Sequence, residues 1–257
     1  MVSRTDLFVT LNLLLTAPRG EHIHHGYFLE DTDTKELAQV RLINLLLENS
    51  KLPKGSQVLD VGCGIGGTSR FLAKNHGCQV TGVTISGRQV EIARKLTLDL
   101  PDTSAPESEN SFVKLGDGAV KFLELDAEKM GDYFTTDPNK STYDCVWISE
   151  AMSHLPNKEL FFKNAALLLK PGGKLVIADW FKAEDLSEKQ MDDDIHPIEG
   201  NSNFIASKNL LTDLKMVCCS RRCVRKRIMS NWQLGQGWTP FRSLLISARR
   251  FLRLGES

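Results

Sequence analysis

The chain has 257 residues, of which 41% are apolar, and its 32 Lys and Arg balance its 32 Asp and Glu. This composition suits a globular core of one large domain or two small ones, and the zero net charge gives no argument for nucleic acid or an anionic membrane as a partner. The apolar runs are too short for a transmembrane helix, and the six cysteines are too scattered for a disulfide framework, so we expect a protein of the reduced cytoplasm.

The first 20 residues form an atypical leader. An apolar stretch from Leu7 to Leu15 loosely imitates a secretion signal, but Thr10 and Asn12 interrupt it. We therefore interpret residues 1–20 as an amphipathic or poorly formed leader and keep a secretion signal as the alternative.

Strands and helices alternate through the middle of the chain. Helical periodicity predicts helices at Lys35–Glu48, Thr68–His76, Arg88–Leu98 and Lys158–Leu169. Short apolar runs predict strands at Gln57–Val61, Gln79–Ile85, Val120–Leu125, Tyr143–Ile148 and Lys174–Ala178. Strands separated by helices form a parallel sheet that is covered on both faces, so the predicted fold class is α/β with a Rossmann-like, doubly wound, mainly parallel sheet. Ligands of such sheets bind beyond the carboxyl ends of the strands.

The first strand runs into a glycine-rich turn, Val58-Leu-Asp-Val-Gly-Cys-Gly-Ile-Gly-Gly67. Glycine can adopt positive φ and lets a ligand approach the backbone closely. The helix that follows would point its free N–H groups at the turn, which favours a nucleotide-like cofactor. Taken alone, the motif also fits a dinucleotide site or a plain strand–helix turn.

The end of the second strand argues against NAD as that cofactor. An NAD site usually carries an acid about 20 residues after the glycines, and Thr84 stands at that place. A third spaced glycine that opens the helix is also missing. An NAD-dependent oxidoreductase therefore remains only as a disfavoured alternative.

Together these segments resemble class I S-adenosylmethionine-dependent methyltransferases, in the branch that contains tocopherol and sterol C-methyltransferases. The resemblance covers roughly residues 20–200 and follows the family's order of motifs. The segments that carry it are His22–Tyr27, Val58–Gly67, Gly82–Gln89, Leu125–Ala127, Glu150–Pro156 and Leu169–Lys174. It implies the class I methyltransferase fold, S-adenosyl-L-methionine as methyl donor, and an enzyme that methylates small molecules.

The resemblance also implies which residues bind the donor. They are Asp60, Gly62, Cys63, Gly64 and Gly66 in the glycine turn, Thr84, Ile85 and Gln89 after the second strand, Asp126 and Ala127 after the third, and Tyr27. Thr84 and Gln89 would bond the ribose hydroxyls, and Asp126 the adenine amino group. The structural alternatives are that Asp60 caps its strand and that Asp126 is a helix N-cap.

His154 is the candidate catalytic base. It follows the fourth strand, and an imidazole that titrates near neutrality can take a proton from a phenol, carboxylic acid or ammonium acceptor. Glu150 would orient His154 or bind an acceptor amine. The alternatives are that His154 packs the loop around Pro156 and that Glu150 forms a structural salt bridge.

The segment around Gly26 allows two interpretations. His24, His25 and Tyr27 either form a lid over the cofactor or belong to a surface turn that ends at Gly26. Only the first interpretation gives these side chains a role in donor binding.

The C-terminal segment departs from the family pattern. Residues 201–257 carry 11 Lys or Arg and two acids, so residues 1–200 hold 21 basic and 30 acidic residues. The basic run Arg221–Arg227 fits a nucleic-acid patch, a targeting address or a solvated face. Cys218, Cys219 and Cys223 have no spaced partner pair, so we expect no metal site. Because residues 201–257 show no alternating strand pattern, we hypothesise that a misread exon or frame change has left the sheet incomplete with an exposed edge.

These observations give a three-part organisation: a leader (1–20), a donor-binding methyltransferase domain (21–200) and a basic C-terminal segment (201–257). The expected reaction is methyl transfer to a carbon, nitrogen or oxygen of a lipophilic or secondary metabolite. We expect a small-molecule acceptor, no nucleic-acid partner, no integral membrane association, and a monomer or weak dimer. The main alternative is a catalytically inactive binding protein of the same fold.

Overall fold

A computed structural model describes residues 21–30, 32–101, 103, 106–108, 111–135, 143–179 and 188, and the backbone of residues 215–218 and 242–247. Its strands are β1 (Gln57–Val61), β2 (Gln79–Thr84), β3 (Val113–Leu115), β4 (Gly118–Glu124), β5 (Tyr143–Ser149), β6 (Leu169–Asp179), β7 (Lys215–Cys218) and β8 (Arg242–Ser247). Its helices in these ranges are α1 (Lys35–Ser50), α2 (Gly67–His76), α3 (Gly87–Leu98), α4 (Met130–Thr135) and α5 (Lys158–Leu168). No helix within these ranges has both the length and the apolarity that crossing a membrane requires.

The strands form one sheet in the order β3-β4-β2-β1-β5-β6-β8-β7. β1 is parallel to β2 and β5, β2 is parallel to β4, and β5 is parallel to β6. The antiparallel pairs lie at the two sides, where β3 pairs with β4, β8 with β6, and β7 with β8. The predicted mainly parallel α/β sheet is therefore confirmed.

Helices cover both faces of the sheet, which explains why residues on both sides of its central strands are buried. Val58 and Leu59 are adjacent in β1 and point to opposite faces, yet both are fully buried. On one face Leu59 packs in a cluster with Phe161 of α5, and on the other Val58 packs in a cluster with Leu46 of α1. The two cores leave the carboxyl ends of β1, β2, β4 and β5 at one edge.

The last predicted strand was expected to begin at Lys174, after the Pro171-Gly172-Gly173 sequence. In the structure this sequence lies within the strand and does not form a separate turn after α5. β6 begins at Leu169, which pairs with Tyr143, whereas Lys174 pairs with Cys145. These two pairing positions are thus five residues apart on β6 but only two residues apart on β5. This irregularity absorbs the Pro-Gly-Gly sequence, and Gly172 has φ +83° within it.

The expectation of an incomplete sheet was wrong. Residues Arg242–Ser247 pair along Lys174–Asp179, so β8 covers the edge of β6 that the hypothesis left exposed. The sequence signal was weak because the apolar run of β8, Leu244-Leu-Ile246, spans three residues without alternation. The idea of a misread frame stays a hypothesis, and the leader at residues 1–20 lies outside the described residues.

Candidate functional site

The glycine turn after β1 is hydrogen-bonded to the end of β2. The backbone N–H groups of Gly62 and Cys63 both donate to the Val83 carbonyl, over 2.8 and 3.0 Å. Gly62, Gly64 and Gly66 have φ of +71°, +56° and +78°. A left-handed backbone at three alternate positions favours glycine, because a Cβ is strained in that region.

The three glycines differ in what surrounds them. A Cβ on Gly62 would lie 2.3 Å from the Cβ of Ala151, and one on Gly66 would lie 2.5 Å from the Phe122 ring. Among the described residues, a Cβ on Gly64 would meet only the tip of the Ile23 side chain, at 3.3 Å. Gly62 and Gly66 therefore permit close packing of the protein on itself, whereas Gly64 faces the open side of the turn.

Asp60 ties β1 to the first turns of α2. Its carboxylate is buried and accepts a hydrogen bond of 2.6 Å from the Ser69 hydroxyl. Burial raises the pKa of Asp60 to about 6, and the Ser69 hydrogen bond acts in the opposite direction. The neighbouring Cys63 thiol is also desolvated, and its pKa is raised well above the ordinary value. Sequence reasoning missed Ser69, whose only signal is its place in the helix that follows the glycines.

Polar and apolar groups meet where β2 ends. The Thr84 hydroxyl donates to the side-chain oxygen of Gln89 over 2.5 Å, so these two predicted ribose ligands are already linked to each other. Ile85, between β2 and α3, is 63% exposed. An exposed isoleucine beside a glycine turn offers an apolar surface to a flat ligand.

Asp126 begins the short helical turn Ala127–Lys129. One oxygen of its carboxylate accepts from the Glu128 N–H over 2.9 Å, so the structural alternative, an N-cap, is present. The other oxygen has no partner among the described residues and can accept a further hydrogen bond. The Asn164 side chain donates to the Glu128 carbonyl over 2.9 Å and fixes the turn to α5, a role that sequence reasoning missed.

Residues 21–27, called the strap below, run along α1 beside the glycine turn. The Tyr27 N–H donates to the Ala38 carbonyl over 2.7 Å. The Gln39 side chain donates to the carbonyls of His22 and His24 over 3.2 and 2.5 Å. Of the residues in the earlier lid prediction, His24 is thus held through its backbone and Tyr27 packs partly buried against the core beside α1.

The strap is also bonded to the loop after β5 through His25 and Glu150. The His25 N–H donates to both Glu150 oxygens over 2.9 and 3.1 Å, and the His25 ring Nδ1 lies 2.6 Å from Oε2. This hydrogen bond raises the pKa of His25, whereas burial lowers the pKa of His24. Glu150 itself has φ +54°, and its N–H donates to the Ala178 carbonyl over 2.6 Å.

His154 is exposed in the short helical turn Met152–His154, and its N–H donates to the Ala151 carbonyl over 3.2 Å. No hydrogen bond joins it to Glu150 within the described ranges, where the Glu150 carboxylate bonds to His25. The expected orientation of His154 by Glu150 is therefore not seen, and the role of His154 as a base stays a prediction.

Two buried nitrogen groups face the start of α2. Arg70 is 2% exposed and donates through Nη1 to the Ile65 carbonyl over 2.7 Å. Its Nη2 and the His22 Nδ1 are buried without a hydrogen-bond partner in the described part of the chain. Burial lowers the pKa of His22 to about 3. A Cβ on Gly67 would lie 2.7 Å from His22 Nδ1, so this unsatisfied polar atom adjoins the glycine turn.

A family described as "Methyltransferase domain" matches residues 33–215 of the chain. The 2-methyl-6-phytyl-1,4-hydroquinone methyltransferase of Synechocystis is 39% identical over 171 residues, which cover 65% of this chain and 46% of that protein. The chloroplastic tocopherol O-methyltransferase of Arabidopsis thaliana is 30% identical over 174 residues, covering 63% of this chain and 44% of that protein. The chain spans about half the length of these curated relatives.

Two solved structures show the same fold. The [4+2]-cyclase SpnF is 26% identical with a TM-score of 0.54, covering 70% of this chain and 60% of that chain. A putative sarcosine dimethylglycine methyltransferase from Galdieria sulphuraria is 22% identical with a TM-score of 0.55, covering 77% and 69% respectively. The second likeness concerns the fold alone.

Proposed function

The chain belongs to the methyltransferase-domain family, and we propose that it transfers a methyl group from S-adenosyl-L-methionine to a small-molecule acceptor. The observation that carries this proposal is the open side of the glycine turn at Gly64, which adjoins the carboxyl ends of β1 and β2. Ligands of a parallel sheet bind at this edge. The unsatisfied His22 and Arg70 nitrogens beside the turn support a ligand with polar groups.

The residues at this edge fit the parts of the donor. Gly64 gives its methionine portion room against the backbone, and the linked pair Thr84 and Gln89 supplies hydrogen-bonding groups for the ribose. Ile85 offers an apolar face to the adenine, and the free oxygen of Asp126 accepts from the adenine amino group. The donor supplies an electrophilic methyl group on a sulfonium. The contribution of these residues is to hold that methyl in line with the acceptor.

We propose that the acceptor side lies beyond β5. His154 is exposed there and takes the proton that a phenol or amine acceptor loses on methylation. Relatives named for a hydroquinone and a tocopherol support a lipophilic phenolic acceptor, within a broader class of carbon, nitrogen or oxygen acceptors. In this proposal the Glu150 carboxylate borders the same space.

Calorimetric titration with S-adenosylhomocysteine, the demethylated donor, tests the donor site. We expect saturable binding to the unaltered protein and at least tenfold weaker binding to Gly64→Asp, because the added carboxylate occupies the cradle. Gly55→Asp is the matched control, since Gly55 also has positive φ (+75°) and a Cβ there would meet nothing within 4 Å.

Folded protein that does not bind S-adenosylhomocysteine would defeat the proposal. Binding without turnover on any acceptor, together with indifference to His154→Ala, would favour the alternative of an inactive binding protein. Saturable binding of NADH instead would revive the oxidoreductase reading.

We also propose a reduced, cytoplasmic protein that acts as a monomer or weak dimer without nucleic acid. Cys63, Cys78 and Cys145 are free thiols, which supports a reducing compartment. Fluorescent tagging and analytical ultracentrifugation check these two points. Secretion of the tagged protein or a tight dimer at nanomolar concentration would count against them.

A further inference from the structure

We propose that His25 is a positioning residue that latches the strap to Glu150 and so closes the strap beside the donor site. The inference rests on the proposed function, since the latch acts on the bound donor. It concerns regulation of that site and adds no catalytic group to it.

In the latch, both the backbone N–H and the ring of His25 contact the Glu150 carboxylate. The His25 backbone N–H lies within 3.1 Å of both Glu150 oxygens, and the ring Nδ1 lies 2.6 Å from Oε2. The Glu150 side chain is 13% exposed and the His25 side chain 49% exposed. A charge-assisted hydrogen bond to a largely buried carboxylate is stronger than an ordinary surface ion pair.

Glu150 is held in a conformation that only surrounding contacts can maintain. Its φ of +54° is uncommon for a residue other than glycine and is strained. The Ala178 carbonyl fixes its N–H, and His25 fixes its carboxylate. The side chain is therefore positioned from the sheet on one side and from the strap on the other.

The same loop touches the donor cradle. Ala151, directly after Glu150, packs closely on the glycine turn. A Cβ added to Gly62 would lie 2.3 Å from the Cβ of Ala151. On the strap, Ile23 reaches toward Gly64. A latch between His25 and Glu150 thus joins the two segments that flank the turn, and its opening frees the strap end from the β5 side.

Among the described residues, Glu150, Lys35 and His24 act electrostatically on His25. Glu150, from the loop after β5, raises the pKa of His25 through its hydrogen bond and its charge, and this outweighs burial and Lys35 of α1. His24 is the neighbour within the strap, and burial lowers its pKa. The latch is therefore fully charged below the ordinary histidine pKa of 6.5 and weakens as pH rises through the raised pKa of His25.

The test measures how fast S-adenosylhomocysteine dissociates, by stopped-flow displacement across pH 5.5–9. We expect release from the unaltered protein to accelerate about 5- to 10-fold as His25 loses its proton, the range for one charge-assisted hydrogen bond. His25→Asn keeps a neutral donor near the Nδ1 position and should release the ligand at the fast rate at every pH. His76→Asn is the matched control, because His76 bonds to the Leu52 carbonyl and not to a carboxylate.

A second measurement needs no donor. The pKa of the His25 ring, followed by NMR of the unliganded protein, should fall in Glu150→Gln, since the amide cannot provide the charge that raises it. His25→Gln replaces His25→Asn in the dissociation experiment if His25→Asn does not fold.

The outcomes separate the two proposals. If the protein binds no S-adenosylhomocysteine but the His25 pKa falls in Glu150→Gln, the proposed function is overturned while the contact between His25 and Glu150 is supported. A protein that binds the ligand with the same pH profile in His25→Asn as in the unaltered chain overturns the latch. An unchanged His25 pKa in Glu150→Gln overturns it as well.

Discussion

At the scale of single residues, the burial of Asp60 beside the glycine turn has an energetic cost. Its carboxylate links β1 to Ser69 in α2, next to the turn that holds Gly62. Burial raises its pKa to about 6, so ionisation in the folded protein is unfavourable relative to the unfolded chain. An acid with a raised folded pKa loses stability as pH rises above the unfolded value of 3.8, and the loss is complete above about 6.

Asp60→Asn should therefore stabilise the protein at high pH. We expect the free energy of unfolding to rise by about 1–3 kcal/mol at pH 8, with the gain shrinking as pH falls towards 4. Urea denaturation at pH 5 and pH 8 measures this difference. The exposed Asp117→Asn is the control, and its effect should stay within about 0.5 kcal/mol at both pH values. A gain that is equal at the two pH values would contradict a raised pKa at Asp60.

The sequence predicted where the glycines would adopt positive φ, because a strand that runs into alternate glycines leaves few other conformations. It did not predict which glycine faces the ligand. That distinction depends on Ala151 and Phe122, which approach Gly62 and Gly66 from segments 56 or more residues later in the chain. A salt bridge at Glu150 was one of the alternatives, and His25 forms it, but the sequence did not indicate this partner because His25 lies 125 residues away.

At the scale of elements, the strap depends on a close contact with α1. Gly26 lies so near the helix that a Cβ there would be 2.5 Å from the Cβ of Ala38 and 2.8 Å from its carbonyl carbon. The next residue, Tyr27, donates its N–H to the same Ala38 carbonyl. The glycine is thus required by space and not by positive φ.

Gly26→Ala should lift the strap from α1. We expect the Tyr27 amide to lose at least tenfold of its protection from hydrogen exchange, because its bond to Ala38 requires the close approach. Mass spectrometry of exchange measures this locally, and the amides of β1 are the internal control and should not change. Unchanged protection at Tyr27 would show that the strap can shift sideways and make room for the alanine side chain at position 26.

The turn Ala127–Lys129 also depends on another element. Asn164 of α5 donates to the Glu128 carbonyl, and the Asn157 N–H donates to the Glu128 side chain. Asn164 is buried, and a Cβ on Gly131 would lie 2.4 Å from its side-chain oxygen. The position of Asp126 is therefore set by α5, a distant part of the chain. The hydrogen bond that fixes the turn joins Asn164 to Glu128, which are 36 residues apart.

Asn164→Ala should weaken donor binding through this turn. We expect a loss of about 1–2 kcal/mol in unfolding free energy and a several-fold weaker affinity for S-adenosylhomocysteine. Asn157→Ala is the matched control, because it removes the N-cap of α5, at a cost of about 1 kcal/mol, while its backbone bond to Glu128 remains. Equal affinities in the two variants would assign Asn164 to stability alone.

At the scale of the whole molecule, the central sheet could be predicted because its strands carry short apolar runs between periodic helices. The outer strands could not. β3 has three residues and β7 four, which is too short for a period of two to be recognised. β8 is defined by its pairing with β6, and pairing between distant segments leaves no local pattern.

Donor binding should stabilise the whole domain, because the site draws on β1, β2, β4 and the strap together. S-adenosylhomocysteine at one hundred times its Kd should add about 2.7 kcal/mol and raise the Tm by about 5–10 °C. Differential scanning calorimetry measures the shift, which Gly64→Asp should reduce to about half or less at the same ligand concentration and Gly55→Asp should preserve. An equal shift with NADH would mean that the site does not distinguish the two cofactors.

The contact between His25 and Glu150 has a consequence for the order of folding. The two residues are 125 positions apart, and the chain between them supplies all of β1 to β5. Closing so long a loop has an entropic cost that is recovered only after the intervening strands have paired. We therefore expect the strap to dock after the sheet has formed and to detach before the sheet unfolds. The proposed donor site would then be completed last and lost first.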